Sequence, residues 1–308
     1  MPVLVKNNLP VIKHLEEEGL FVMKPKRAQT QKIRPLKIAL VNLMPTKEAT
    51  ELQFLRLLSN SPLQIHVTLL RMESHASKNT DEAYLKQFYT SLKSIENQRF
   101  DGMIITGAPV ETIPFEEVDY WREITALMDY TKANVFSCMH ICWGAQAGLY
   151  YHYGIDKVKL HKKRFGVFVH NVVGNHHLLF KGADEQIYVP HSRHTAWRKK
   201  DISASKDVEI VLESKEAGPT VIMAHEGRQI FVSGHFEYDA DTLATEYFRD
   251  KKKGLDIEMP KHYFKDNIPS KGPLMNWRSH ANLIFSNWLN YIVYQRTPYD
   301  LDELEKIE

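Results

Sequence analysis

Apolar runs alternate with amphipathic stretches through the first half of the chain. "LKIALVNLM" (36–44) is continuous and apolar, the pattern of a strand covered on both faces. It leads into "PTKEATELQFLRLLSN" (45–60), where Leu52, Leu55 and Leu58 recur at helical spacing. Thr46 stands where a cap belongs, and Glu48 falls in the first turn. The same alternation predicts strands at 64–70, 100–106 and 134–141, and helices at 81–98, 118–132 and 143–154. Strand following helix with short connections predicts an α/β fold, a mostly parallel sheet with helices on both faces. Sites in such sheets gather beyond the carboxyl ends of the strands.

The second half reads differently. Strands are predicted at 164–174, 208–214, 219–226 and 229–239, joined by hairpin-type turns of which Glu226-Gly227-Arg228 is the clearest. Helices at 240–253 and 277–295 flank a Pro-bearing loop at 254–273. This half most simply extends the same sheet, giving a single domain over 36–297. The polar, Pro-bearing residues 1–35 read as an arm packed on it, and 298–308 as a polar tail.

Composition narrows the partners. The chain has 308 residues, enough for a large core, and its net charge of +2 is too small to imply a nucleic acid. Lys251-Lys252-Lys253 reads as a solvated helix end. No apolar stretch approaches the ~20 residues of a membrane span, so no membrane is expected. The opening "MPVLVKNNLPVIKHLEEEG" turns charged too soon for an export signal, and two cysteines suit a reducing cytoplasm. Those two are Cys138 and Cys142. If the residues before Cys142 are extended, their Cα atoms lie roughly 13 Å apart, and a disulfide needs less than ~7 Å.

Cys138 falls inside an apolar run and reads as a small buried hydrophobe. Cys142 lies where strand turns to helix. "HICWG" resembles a nucleophile elbow with Cys in place of Ser. The elbow exposes the side chain at the sheet edge, where the following helix's amides and positive end favour a thiolate. The amides after Cys142, Trp143 first, can face an oxyanion. A thiol nucleophile needs a base and the base an orienter. Among 15 histidines the best placed is His235 in "VSGHFEYD", after a predicted strand, with Glu237 two positions on. In extended backbone both side chains share a face. Metal is the competing use of such residues, but the "NHH" (175–177), "HSRH" (191–194) and "HE" (225–226) groups match no ligand spacing, and no metal is expected.

"NLMPTKEATELQFLRLL", "TGAPVE", "ICWGAQAGLYYHYGI" and "SGHFEYD" together resemble the homoserine O-acyltransferases that begin methionine synthesis. The resemblance spans about residues 1–297. It implies a class I glutamine amidotransferase-like (flavodoxin-like) fold. It makes Cys142 the acyl-accepting nucleophile, His235 the general base and Glu237 its partner. It also implies an oxyanion role for Lys47, substrate-site roles for Lys163 and Ser192, and a hold on the homoserine carboxylate for Arg249. Members with glycine at the position of Glu111 resemble succinyl-CoA users, and members with glutamate look like acetyl-CoA users. The physics agrees: a succinyl carboxylate 4 Å from Glu111 would be repelled by about 4 kcal/mol at an effective dielectric of ~20, a discrimination of about 10² to 10³. The expected activity is acetyl transfer from acetyl-CoA to L-homoserine with no further cofactor. The alternatives are succinyl transfer, glutamine hydrolysis or a non-catalytic binding protein. A homodimer is the assembly allowed for.

Overall fold

The computed structural model describes residues 3–20, 22–23, 33–75, 79–174 and 177–307. The apolar runs become β2 (Leu36–Val41), β3 (Ile65–Leu70), β5 (Phe100–Ile105) and β6 (Val135–Ile141), with a short β1 (Val3–Leu4) and β4 (Tyr89–Thr90) beside β3. Every residue of β5 and β6 is buried, as continuous apolar strands require. The second half supplies β7 (Val158–Val172), β8 (Ile187–Ala196), β9 (Val208–Ser214), β10 (Gly218–Ala224) and β11 (Gln229–Val232). Among the described residues these form one sheet in the order β1-β3-β2-β5-β6-β11-β10-β9-β7-β8. Pairing is parallel from β1 to β11 and antiparallel from β11 to β8.

Helices cover both faces. On one, Phe54, Leu55 and Leu58 of the Lys47–Ser59 helix and Ile284 and Phe285 of the Arg278–Asn287 helix pack on Ile38, Leu40 and Ile104. On the other, Ile124, Leu127 and Met128 of the Trp121–Asn134 helix pack on Ala39, Val41 and Met103. The Arg278–Asn287 helix continues as wider π turns over Trp288–Tyr294.

Several elements depart from the sequence pattern. The helix predicted over 81–98 is broken: Glu82–Phe88 and Leu92–Ile95 are helical, with β4 between them. The extended backbone there lets the buried Tyr89 hydroxyl reach Glu51, also held by Tyr84, and lets Thr90 accept from the Arg71 amide. Tertiary partners outweigh local propensity. β8 was not foreseen, since its polar residues and Pro190 hide it. The strand predicted over 229–239 stops at Val232, so His235 and Glu237 lie on the segment beyond it. Thr46 is the N-cap residue, but its side chain makes no capping bond. Near the termini, Val3 and Leu15 are fully buried. Leu301, Leu304 and Ile307 are buried as well, and the Ile307 amide donates to the Lys132 carbonyl.

Candidate active site

The carboxyl ends of β2, β5, β6 and β11 meet at one edge of the sheet. Cys142 follows β6 directly and is the N-cap of the Trp143–Tyr153 helix, with φ 52° and ψ −114°. Positive φ is strained for any residue with a Cβ. Neighbouring bonds hold it: the Cys142 amide donates to Val232 O at 2.7 Å, and its carbonyl accepts from the Gln146 amide at 3.1 Å. Two glycines make room. A Cβ at Gly144 would lie 2.7 Å from Thr106 O and 2.9 Å from Ile105 O, so only glycine lets the helix start so close to β5. A Cβ at Gly107 would lie 3.1 Å from Cys142 Cβ and 3.7 Å from its sulfur.

β11 is the parallel neighbour of β6, and the chain leaving it brings His235 to Cys142. The Cys142 sulfur and the Glu237 carboxylate both act on the His235 imidazole. His235 Nδ1 meets Glu237 Oε1 at 2.7 Å, and the ring stacks on Tyr238 at 4.1 Å. Burial alone would lower the imidazole, but the charges and hydrogen bonds of Cys142 and Glu237 outweigh it and hold His235 well above its usual range. Cys142, His235 and Glu237 therefore lie together. Glu237 Oε2 is buried without a hydrogen-bond partner among the described residues. A cavity of about 620 Å³ reaches Glu237 and Tyr238 from the side of Arg56 and Arg278. Cys138 is the bland thiol the pattern suggests: it lies inside β6, and burial pushes it far up. Both cysteines are free and both are buried: Cys142 is 9% exposed, so the bend does not hold its side chain out in the open as the elbow pattern implies.

The remaining predicted residues fall into four places. Glu111 stands on the loop after β5, and its Oε2 accepts from the His194 amide at 2.9 Å and from Thr195 Oγ1 at 3.0 Å. Lys163 on β7 and Ser192 on β8 both bond Glu246 Oε2, which lies on the Thr242–Lys252 helix one turn before Arg249. Arg249 Nε donates to Asp250 at 2.7 Å, with Glu246 close enough to raise it further. Lys47 is buried at the start of its helix. Its ammonium donates to Asn42 O at 2.5 Å and lies 5.8 Å from the Tyr89 ring centre, two strands from Cys142. Burial lowers it to about 8, against the pull of Glu51. The Trp143 side chain is fully buried in a T-shaped contact with Tyr120, so only its backbone can serve a substrate. The sequence reading missed Glu246, Thr195 and Tyr238. Glu246 had a signal, its i, i+3 spacing from Arg249; Thr195 had none, because β8 itself was hidden.

With this geometry in place, the sequence matches the family described as homoserine O-succinyltransferase over residues 2–299. The chain belongs to the homoserine O-succinyltransferase family. Among its relatives is the homoserine O-acetyltransferase of Bacillus cereus (strain AH820), 56% identical over 301 residues, covering 98% of this chain and all of that one. The homoserine O-acetyltransferase of Bacillus anthracis (strain A0248) matches to the same extent. Family description and relatives' names thus differ in the acyl group. Among solved structures, a glutamine amidotransferase from Thermotoga maritima superposes with a TM-score of 0.56 at 10% identity, covering 85% of this chain and all of that one. One from Methylobacillus flagellatus gives 0.52 at 11% identity, over 90% and 98%. The fold of this homoserine O-succinyltransferase family member is that of the class I glutamine amidotransferases.

Proposed function

We propose that the chain transfers acetyl from acetyl-CoA to the γ-hydroxyl of L-homoserine, giving O-acetyl-L-homoserine by way of a thioester on Cys142. The observation that carries this is the Cys142–His235–Glu237 line at a strained strand-to-helix bend. The Cys142 thiolate attacks the thioester carbonyl, and backbone amides at the start of the helix stabilise the tetrahedral oxyanion. The CoA thiolate leaves and takes a proton from the His235 imidazolium. The homoserine hydroxyl then gives its proton to His235 as it attacks the acetyl-cysteine, and Cys142 leaves as a thiolate. Glu237 keeps the imidazole in one tautomer and stabilises its charged form.

Glu246 offers a carboxylate to the homoserine ammonium, and Arg249 a two-toothed partner to its carboxylate. Lys163 and Ser192 hold Glu246 in place. Acetyl is favoured over succinyl by Glu111, and the names of the relatives point the same way. The reaction uses no cofactor besides the acyl-CoA, and among the described residues no helix is long and apolar enough to cross a membrane. The cytoplasm is the compartment we assign. Mass spectrometry after incubation with acetyl-CoA alone tests the route. An acetyl group on Cys142, removed on adding homoserine, is expected; its absence overturns the covalent mechanism. Ammonia release from glutamine would instead mark a hydrolase.

A further inference from the structure

β8 carries a buried charged residue, two positions before Thr195, that neither the motifs nor the mechanism uses. Arg193 is 1% exposed. Its two terminal nitrogens donate to the carbonyls of Thr195 at 2.6 Å and Ala217 at 2.7 Å, and its Nε donates to His191 Nδ1 at 3.3 Å. None of these partners is an anion, and a buried charge with no counter-charge on it is costly.

What holds it is a buried column whose protons can be assigned from its hydrogen bonds. His170 Nδ1 donates to Phe168 O at 2.9 Å, which leaves its Nε2 as an acceptor. His191 Nε2 donates to that nitrogen at 3.2 Å, and His191 Nδ1 is then free to accept from Arg193. Each imidazole is neutral, and burial pulls both downward, His170 to about 4. The guanidinium is therefore the one charge in the column. Burial pulls it to about 10, and the groups that resist are the Cys142 sulfur and the Glu111 carboxylate, while Arg164 adds to the fall. Thr195 bonds Glu111 through its hydroxyl and Arg193 through its carbonyl. Gln146, one turn into the helix that Cys142 starts, meets that hydroxyl at 2.9 Å.

We propose that Arg193 is the cation of the acyl pocket, set opposite Glu111 across Thr195, so that the pair is neutral toward acetyl and becomes a carboxylate receptor when Glu111 is removed. Specificity is then more than repulsion by Glu111. Without that glutamate the pocket attracts an acyl group ending in a carboxylate, rather than merely admitting a longer one. The proposal rests on the reading of Cys142 and Glu111 given above.

The test compares acetyl-CoA, succinyl-CoA and the neutral carboxamide analogue of succinyl-CoA as donors to homoserine. Glu111→Gly is expected to prefer the carboxylate donor over its carboxamide by about tenfold in kcat/KM, the surplus of a charge-assisted over a neutral hydrogen bond. Adding Arg193→Met should bring that ratio near one, and adding Arg193→Lys should keep part of it. Equal use of the two donors by Glu111→Gly overturns the proposal, and so does a preference that survives Arg193→Met in a folded protein. Should Arg193→Met fail to fold, the donor ratio of Glu111→Gly and its partial retention with Arg193→Lys decide. Wild-type protein that transfers no acetyl to homoserine would remove the underlying reading instead.

Discussion

At the scale of single residues, the proposed catalysis depends on a charge balance around His235. Two neighbours raise it, Cys142 and Glu237, against a burial that lowers it. Glu237→Gln keeps the shape and removes one of the two. The imidazolium is then lost at lower pH, so the alkaline limb of the acyl-transfer profile should move downward. The rate should fall about 10²- to 10⁴-fold, as measured by stopped-flow CoA release. Lys47 makes an opposite case. Its folded value of about 8 lies below the ordinary 10.5. Below about 8 it is charged in both folded and unfolded chains, and the fold carries the cost of burying that charge. Between the two values the unfolded chain binds more protons, so stability rises with pH. Lys47→Met should therefore stabilise the protein by up to about 3 kcal/mol at neutral pH, less above pH ~8, as read by urea denaturation at several pH values. Cys142, His235 and Glu237 were legible in the sequence because their local motifs fix their geometry. Arg193 and Glu246 were harder to see, because their meaning comes from partners far along the chain.

At the scale of elements, the bend at Cys142 requires the helix behind it to start against β5. Gly144→Ala puts a methyl on two backbone carbonyls that cannot yield. A loss of about 1–3 kcal/mol in stability is expected, with slower acetylation of Cys142, checked by thermal melting and time-resolved mass spectrometry. The parallel strands could be read from their apolar runs, since both faces are covered. β8 could not: it alternates Ser192 and His194 with buried His191, Arg193 and Thr195. After Ile187 and Val189 its inner face turns polar, and Pro190 interrupts the run, so the hydrophobic signal that period-two reading depends on is too short. β4 was lost for a related reason. Two residues within an amphipathic run leave no periodic mark, and distant partners, Glu51 and Asn42 on the Tyr89 hydroxyl and Arg71 on Thr90, explain why the chain leaves the helix there.

At the scale of the whole molecule, both chain ends are stitched into the sheet and its cover. β1 extends the edge beside β3, and the last residues lie against Arg99 and the Trp121–Asn134 helix. Removing residues 298–308 exposes the surfaces under Leu301, Leu304 and Ile307. Stability should drop by about 2–5 kcal/mol in urea titrations, while the ratio of acetyl to succinyl use stays unchanged. The seclusion of Cys138 inside β6 has a practical corollary. Both sulfhydryls are buried, but Cys142 keeps 9% of its surface exposed against 2% for Cys138, so an alkylating dye should tag Cys142 first in the native protein and both after denaturation. The rapid equivalent therefore counts competent enzyme in any preparation, without a substrate being added.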